Sequence, residues 1–427
     1  MIMATTLILI VFIAGYFLIA FEHPLKINKA ATALITGVLC WTIYILQSND
    51  VQAVSNELVH SFGEIASILF FLLGAMTIVE LIDSHNGFEF ITQRITTKSK
   101  SRLLFIIAAI TFFLSALLDN LTTAIVMVSL CAKLLHDKED RLWFAGIIII
   151  AANLGGAWSP LGDVTTTMLW IGGQITALKI ITALILPCLL ACIMPVVLVA
   201  KKIKEKKITS ISLPENSAIE KREGKIILVA GIGFLLFVPL FKSITHLPPF
   251  MGMLLALGFM WVLTTIIHKN NAAFYKGKFT VTRALQKIDT PSILFFLGIL
   301  LAVSALQSSG ILKAMAQGLS NTFKNDYLIA TFLGLLSAVV DNVPLVAASQ
   351  GMYDLSVYPT DHQFWQFLAF TTGSGGSAII IGSAAGVAVM GIEQINFMWY
   401  LKKISWLALI AFAVGIGVFL AQQYLFE

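Results

Sequence analysis

The sequence predicts an all-α polytopic membrane protein made of two inverted-topology repeats, with re-entrant helical hairpins and broken transmembrane helices. Of its 427 residues, 58% are hydrophobic and only 12% are charged, about half the charged fraction of a soluble globular chain. Apolar runs of 16 to 22 residues recur from residue 4 to residue 424, and about 20 such residues span a bilayer. The same short motifs also recur in the same order in both halves of the chain. This composition excludes a soluble enzyme and makes the lipid bilayer the expected partner, whereas the net charge of +5 gives no reason to expect nucleic acid.

Residues 1–63 are predicted to hold the N-terminal transmembrane helices, at about 4–21 and 30–47. The first run has neither a basic start nor a small-residue cleavage site after it. Both are marks of a signal peptide. We therefore expect a membrane helix here.

The first repeat, predicted over 64–200, contains two interrupted spans. The hairpin 103–136 begins with an apolar piece of 16 residues that ends at Asp119-Asn120, and a second apolar piece follows. Sixteen residues make a helix of about 24 Å, which is short for a bilayer span, so a re-entrant hairpin fits better. The run 142–170 is divided by glycines and Pro160, so we predict a broken helix. Such irregular backbone is tolerated at membrane depth only where protein or water buries it.

The second repeat, predicted over 289–427, has the same organisation. Its hairpin, 328–350, breaks at Asp341-Asn342, and its broken helix, 364–392, is interrupted by a stretch rich in glycine and serine. Between the two repeats we predict a cytoplasmic loop at 201–225, two linking transmembrane helices at 226–268 and a second cytoplasmic loop at 269–288.

Three motif matches relate the two repeats, at offsets of 225, 222 and 220 residues. Inverted repeats with broken helices at matching positions are the architecture of secondary transporters, which bind ions near the midplane at the repeat interface. The matches are Ser-Ile-Leu-Phe-Phe-Leu at 67–72 and 292–297, Ser-x-x-x-Asp-Asn ending at Asn120 and Asn342, and Gly-Gly-x5-Gly ending at Gly162 and Gly382, where Asp163 is answered by Ser383.

The basic residues predict how the chain is oriented. If the N-terminus is outside, on the periplasmic side, 24 of the 28 Lys and Arg residues fall in loops on the cytoplasmic side. This agrees with the excess of positive charge in cytoplasmic loops. In this orientation, matching spans of the two repeats cross the membrane in opposite directions.

Three acidic residues, Asp119, Asp163 and Asp341, fall within the predicted breaks. A charged side chain in a membrane span costs at least about 2.5 kcal/mol and is functional by default. Neutral oxygen donors surround these acids, and the one Lys or Arg within the interrupted spans is Lys133, at the end of the first hairpin and away from the breaks. Carboxylate, amide and hydroxyl oxygens suit small hard cations, so we predict Na+ or Li+ at Asp119, Asp163 and neighbouring oxygens, with no cofactor.

Asp-Asn at a helix break has a simpler interpretation, because both residues cap helices well. Two such pairs at equivalent repeat positions favour a functional role. A carboxylate in a low-dielectric site takes up a proton more readily than one in water. It then binds either a proton or a cation, which is the simplest mechanism for exchanging one for the other.

The motif set resembles that of the NhaD-type sodium/proton antiporters of the ion transporter superfamily. It consists of the runs from Ser115 to Thr123 and from Asn153 to Thr167, together with Asp341-Asn342-Val-Pro344. The resemblance implies a homodimeric inner-membrane antiporter that exports Na+ or Li+ in exchange for H+ by alternating access, with separate transport and scaffold parts. It implies ion- or proton-binding roles for these residues: Asp119, Asn120, Asn153, Asp163, Thr165, Thr166, Ser337, Asn342, Ser374 and Ser377.

Other residues are candidates on weaker grounds. Asp341 is expected to support the site, and Glu64, Thr122 and Thr123 are accessory candidates, although Glu64 suits an interfacial position equally well. All seven histidines fall in loops or at span ends, so we expect no buried histidine relay.

Three other functions fit parts of the pattern. A sodium-coupled symporter of a dicarboxylate or another anion would use similar hairpins, but Asp119 and Asp341 would repel a carboxylate substrate. Oxyanion efflux is possible on the same architecture. An intramembrane aspartyl protease needs two facing Asp residues, yet Pro160 departs from its Gly-x-Gly-Asp motif and the repeat symmetry would be unexplained.

Overall fold

A computed structural model describes residues 2–20, 22–88, 97, 99–203, 218–269 and 279–426. Within these ranges the chain is helical and has no β-strand. Nine of the described helices are long and apolar enough to cross a membrane, so the predicted all-α, multi-pass fold class is confirmed. Residues 89–96 and 98 and parts of the predicted cytoplasmic loops at 201–225 and 269–288 lie outside the described residues.

The chain begins with α1 (Ile2–Ala20), α2 (Glu22–Leu25), α3 (Lys29–Leu46) and α4 (Val51–Ser84). α4 is 34 residues long and starts well before the predicted span at residue 64. Its N-cap, Asp50, accepts a hydrogen bond from the amide of Ala53, and no proline interrupts the helix. The predicted boundary between residues 63 and 64 therefore falls within a continuous helix.

The first interrupted spans form α5 (Lys100–Leu118), α6 (Asn120–Leu134), α7 (Lys138–Ala157) and α8 (Val164–Ile171). A single residue, Asp119, separates α5 from α6, and its φ of +90° is a conformation that residues other than glycine rarely adopt. Both breaks therefore occur where the Asp-Asn pair and the glycine-rich run predict them.

The first half ends with α9 (Ala177–Lys202), and three helices then lead to the second half: α10 (Ala218–Thr245), α11 (Pro249–His268) and α12 (Val281–Lys287). The ends of α4 and α11 meet through a buried pair of histidines. His85 Nε2 lies 2.9 Å from His268 Nε2, and His85 Nδ1 bonds to the carbonyl of Leu81. Both histidines lie at span ends, as predicted, but they are buried, because the two span ends pack against one another.

The second half continues in the same pattern. Sequence analysis does not predict α14, a short helix whose apolar residues lie on one face. The helices are α13 (Thr290–Ser308), α14 (Ile311–Phe323), α15 (Asp326–Leu336), α16 (Asn342–Met352), α17 (Gln363–Gly375), a 3-10 turn (Ile380–Gly382), α18 (Ala384–Glu393), α19 (Phe397–Lys403) and α20 (Ser405–Phe426).

Equivalent residues of the two halves make equivalent contacts. Ser115 Oγ donates to the carbonyl of Ala152 over 2.6 Å, and Ser337 Oγ donates to that of Thr372 over 2.8 Å. The hairpin residues in these pairs are 222 positions apart and the broken-helix residues 220 apart, the offsets at which the motifs recur.

Glycines allow each broken helix to lie directly against its hairpin. A Cβ on Gly155 would overlap the carbonyl of Phe112, and a Cβ on Gly375 would overlap the carbonyl of Gly334. These positions are also related by 220 and 222 residues. The recurring Gly-Gly pair is therefore explained by close backbone approach.

The two broken helices run in opposite directions. Arg141, near the start of α7, forms an ion pair of 3.3 Å with Glu393, the last residue of α18. At the other end, the amide of Asp361, just before α17, donates to the carbonyl of Gln174, just after α8, over 2.8 Å. The start of one broken helix thus meets the end of the other on each side.

The helices form two packed groups. In the first, α1, α3, α4, α10, α11 and α13 pack on one another, and α3 crosses α13 closely at Gly37 and Gly298. In the second, the hairpins and broken helices pack together with α9 and α20. The candidate ion-binding residues lie in the second group.

Candidate ion-binding site

Four helices, α6, α8, α16 and α18, begin within the second group at the four breaks. Their N-caps are Asp119, Asp163, Asp341 and Ser383, and each side chain accepts a hydrogen bond from a backbone amide of the helix that it precedes. Side-chain oxygens at this position satisfy amides that have no partner within the helix. The simple capping interpretation is therefore correct for both Asp-Asn pairs.

Asp163 is the centre of the cluster and is only 2% exposed. Its Oδ1 accepts hydrogen bonds from the amide and hydroxyl of Thr165, at 2.9 and 2.8 Å. Its Oδ2 accepts from Asn120 Nδ2 at 2.8 Å, and Asn342 Nδ2 lies 3.4 Å from the same oxygen. The asparagines of the two hairpins thus converge on one carboxylate.

Asp119 and Asp341 are partly exposed and lie beside this centre. Asp119 accepts from the amide and hydroxyl of Thr122, both at 2.8 Å, and Asp341 accepts from the amide of Val343 at 3.2 Å. Both carboxylates are close enough to Asp163 to interact with it electrostatically. The negative charge of each therefore acts on Asp163, and a bound cation or proton would reduce this repulsion.

Asn153 links the first half to the second. Its Oδ1 accepts from Asn120 Nδ2 at 3.1 Å, while its Nδ2 donates to Ser377 Oγ at 2.9 Å and to Ser383 Oγ at 3.0 Å. Sequence reasoning did not include Ser383 among the site residues. The signal was present, since Ser383 occupies the position equivalent to Asp163.

The remaining candidates have local partners. Ser337 and Ser374 donate to the backbone carbonyls of Thr372 and Phe370, and Thr166 donates to the carbonyl of Asp163 at 3.0 Å. Thr123 is the exception: it is fully buried one turn into α6, and its Oγ1 has no hydrogen-bond partner among the described residues. Ser337, Ser374 and Thr166 therefore bond to the backbone around the breaks rather than to the carboxylates.

Glu64 lies apart from the cluster. Its side chain is 71% exposed and faces His60, one turn away on α4, at 3.7 Å. Its side chain is therefore not among those that contact Asp163.

The cluster offers a cation few charged ligands and many neutral oxygens. Among the described residues, no group of three or more His, Cys, Asp or Glu side chains is arranged to hold a metal ion. An ion here would be held by one or two carboxylates with amide, hydroxyl and carbonyl oxygens, which are hard ligands suited to Na+ or Li+.

These features define a membrane transporter with a buried, oxygen-lined site. Residues 16–373 match the model of the citrate transporter family, and the chain belongs to that family. It is 46% identical to sodium/proton antiporter 2 of Arabidopsis thaliana over 95% of this chain and 97% of that protein. Sodium/proton antiporter 1 of the same plant is also 46% identical, over 96% of this chain and 71% of that protein.

A bacterial relative is more distant. The Na(+)/H(+) antiporter NhaD of Vibrio cholerae is 29% identical over 96% of this chain and 90% of that protein. The resemblance to the NhaD type is therefore confirmed. Its relatives are transporters, so the protein is a transporter and not an enzyme, which excludes the protease alternative.

Proposed function

We propose that this protein is a sodium/proton antiporter that exports Na+ or Li+ in exchange for H+. The observation that carries the proposal is the carboxylate of Asp163, buried at the junction of the two halves and approached by Asn120 and Asn342. The relatives named as sodium/proton antiporters, at 46% identity over nearly the whole chain, support the same function.

The arrangement of helix ends argues against an anion such as citrate as the substrate. The N-terminus of a helix carries partial positive charge and free amides, so converging N-termini attract anions. Here three of the four N-termini are already capped by carboxylates of the chain itself. These aspartates occupy the amides that a carboxylate substrate would need and add charge that repels it.

We further propose that the chain consists of two inverted-topology repeats, 64–200 and 289–427, joined through 201–288. The equivalent Ser and Gly contacts of the two hairpins and the antiparallel course of the broken helices support this. Such repeats exchange two nearly equivalent arrangements and so give alternating access. The hairpin-containing group would then move as a transport part against the α1, α3, α4, α10, α11 and α13 scaffold.

In this mechanism Asp163 binds either the cation or a proton. Asn120 and Asn342 orient its carboxylate, and Asp119 and Asp341 add negative charge beside it. Asn153, Thr165, Thr166, Ser337, Ser374 and Ser377 keep the four breaks in register. The expected setting is the cell inner membrane, with the N-terminus outside and with a homodimer as the assembly.

Substitution of the central acid tests the function. In everted vesicles with an imposed pH gradient, added Na+ or Li+ should dissipate the gradient in the wild type, and K+ should not. Asp163→Asn should abolish the response, because the amide cannot exchange a proton for a cation. Asp354→Asn, at an exposed position outside the cluster, should retain it. Undiminished exchange in Asp163→Asn, or uptake of labelled citrate driven by Na+, would contradict the proposal.

A further inference from the structure

A cavity of about 230 Å³ opens beside the ion-binding cluster on the predicted cytoplasmic side. One wall comes from the starts of α3 and α13, with Lys29 and Asp289, and the other comes from α6 and α18, with Leu121 and Ala388. Leu121 directly follows Asn120 in sequence. The cavity therefore lies between the two packed groups and reaches the edge of the cluster.

Equivalent faces of α8 and α18 differ in exposure. Ala388, on α18, is partly exposed to the cavity, whereas its equivalent 220 positions earlier, Met168 on α8, is 2% exposed. Val387 is likewise partly exposed, and its equivalent Thr167 is 1% exposed. The face of α18 that carries Val387 and Ala388 is thus open to the cavity, whereas the equivalent face of α8 is buried.

On the predicted outer side, the end of α8 contacts two helices of the first group. Lys242 of α10 donates through Nζ to the carbonyl of Trp170 over 2.9 Å, and the same Nζ lies 4.8 Å from the centre of the Trp170 ring. The ring of Phe71 on α4 meets Trp170 edge-on at 6.2 Å. Two helices of the first group therefore contact one residue of the second group.

We propose that the 230 Å³ cavity is the passage between the cytoplasm and Asp163, and that Lys242 and Phe71 hold the opposite passage closed by contacting Trp170. The outward passage is then the equivalent face of α8, around Met168, which opens when these contacts break. This inference rests on the proposed function, since it assigns a route to the ion of the same site.

The charges at the mouth of the cavity fit a passage for cations. Glu22 and Asp289 lie at its rim with Lys29 as the one basic residue among those lining it. Glu22 accepts a hydrogen bond from the amide of Lys29 at 3.2 Å. A rim with more acid than base raises the local concentration of a cation.

Single cysteines test the route with a membrane-impermeant thiol reagent. The four native cysteines are free and buried, so wild-type protein gives the background. In everted vesicles, Ala388→Cys should be labelled at least about tenfold faster than Met168→Cys, because burial slows thiol reaction. Labelling should also block Na+-dependent exchange, because the adduct fills the cavity. Lys402→Cys, exposed on the same predicted side, should be labelled with exchange intact.

Exchange measured before labelling separates this inference from the proposed function. If unlabelled variants exchange Na+ for H+ but Ala388→Cys resists the reagent while Lys402→Cys reacts, the route is wrong and the function stands. Equal labelling of Met168→Cys and Ala388→Cys from the cytoplasmic side also overturns it. If Ala388→Cys fails to accumulate, Val387→Cys replaces it.

The closing contact has its own readout. Lys242→Gln should increase labelling of Met168→Cys from the outer side of right-side-out vesicles several-fold. Unchanged labelling would show that Lys242 does not hold the outer passage closed.

Discussion

Replacing Asp163 with serine separates its capping role from its role as a carboxylate. The chain already contains the comparison, because Ser383 occupies the equivalent position and caps α18 by accepting from the amide of Gly386 at 3.1 Å. Serine and aspartate are similarly good N-caps. Asp163→Ser should therefore keep the start of α8 while removing the carboxylate and its charge.

The structure sets the size of the expected effect. The variant loses the 2.8 Å hydrogen bond from Asn120, and bonds to charged groups contribute about 1.5–3 kcal/mol. Asn120 keeps its bond to Asn153 at 3.1 Å, and a buried charge with its desolvation cost is removed. The two effects oppose each other, so the free energy of unfolding should change by only about 1 kcal/mol.

Exchange should respond very differently from stability. Without a group that alternates between proton and cation, Na+-dependent dissipation of the pH gradient should fall at least about 100-fold, and Asp354→Ser should leave it unchanged. Thermal unfolding in detergent would check the fold. Exchange above about a tenth of the wild-type rate, in protein of normal stability, would refute the assignment of Asp163 as carrier.

Two further predictions concern packing and pH. Gly375→Ala should lower the free energy of unfolding by about 2 kcal/mol or more, because its Cβ would overlap the backbone carbonyl of Gly334. The control Gly318→Ala, in open space, should have little effect on the melting temperature. Equal effects of the two substitutions would contradict the close approach of Gly375 to Gly334. Burial, with a smaller contribution from His268, lowers the pKa of His85 to about 4 from 6.5. The unfolded chain therefore binds a proton at His85 more tightly than the folded chain does. Keeping His85 neutral thus contributes to the free energy of unfolding, by about 3 kcal/mol at most. This contribution is complete above pH 6.5 and is lost as the pH falls toward 4. His85→Asn, which retains a donor near Leu81, should make the melting temperature depend less on pH between 4 and 6.5. The control His60→Asn, at an exposed position, should leave that dependence unchanged. Identical curves for wild type and His85→Asn would exclude His85 as the cause.

The positions of the breaks could be predicted from the sequence, but the directions of the side chains could not. A short apolar run ending in Asp-Asn identifies the break at Asp119, because few other residues both cap a helix and tolerate a reversal. The hydrogen-bond partner of Asn120 depends on how α8 packs against the hairpin, and local sequence does not determine that packing. Ser374 differs, because it bonds locally, to the backbone carbonyl of Phe370 one turn earlier in α17.

Local polarity limits prediction in two other places. The first turns of α4 around Asn56 are too polar to be recognised as part of a membrane span, although the structure continues the helix through them. His85 and His268 each look like an exposed span end in sequence. Their burial follows from contact between α4 and α11, which no local pattern encodes.

The four N-caps explain how one scaffold supports opposite substrate charges. Four helix N-termini that meet at the breaks form a positive environment, which by itself favours an anion. In this chain Asp119, Asp163 and Asp341 reverse that preference from within the caps, and only Ser383 leaves its helix end uncompensated. On our proposal, the asymmetry between Asp163 and Ser383 places the exchangeable charge on one side of the junction, and Asn153 joins that side to the neutral one through Ser377 and Ser383. Substituting these N-cap residues, with the helices unchanged, should therefore be enough to alter which ion the site accepts.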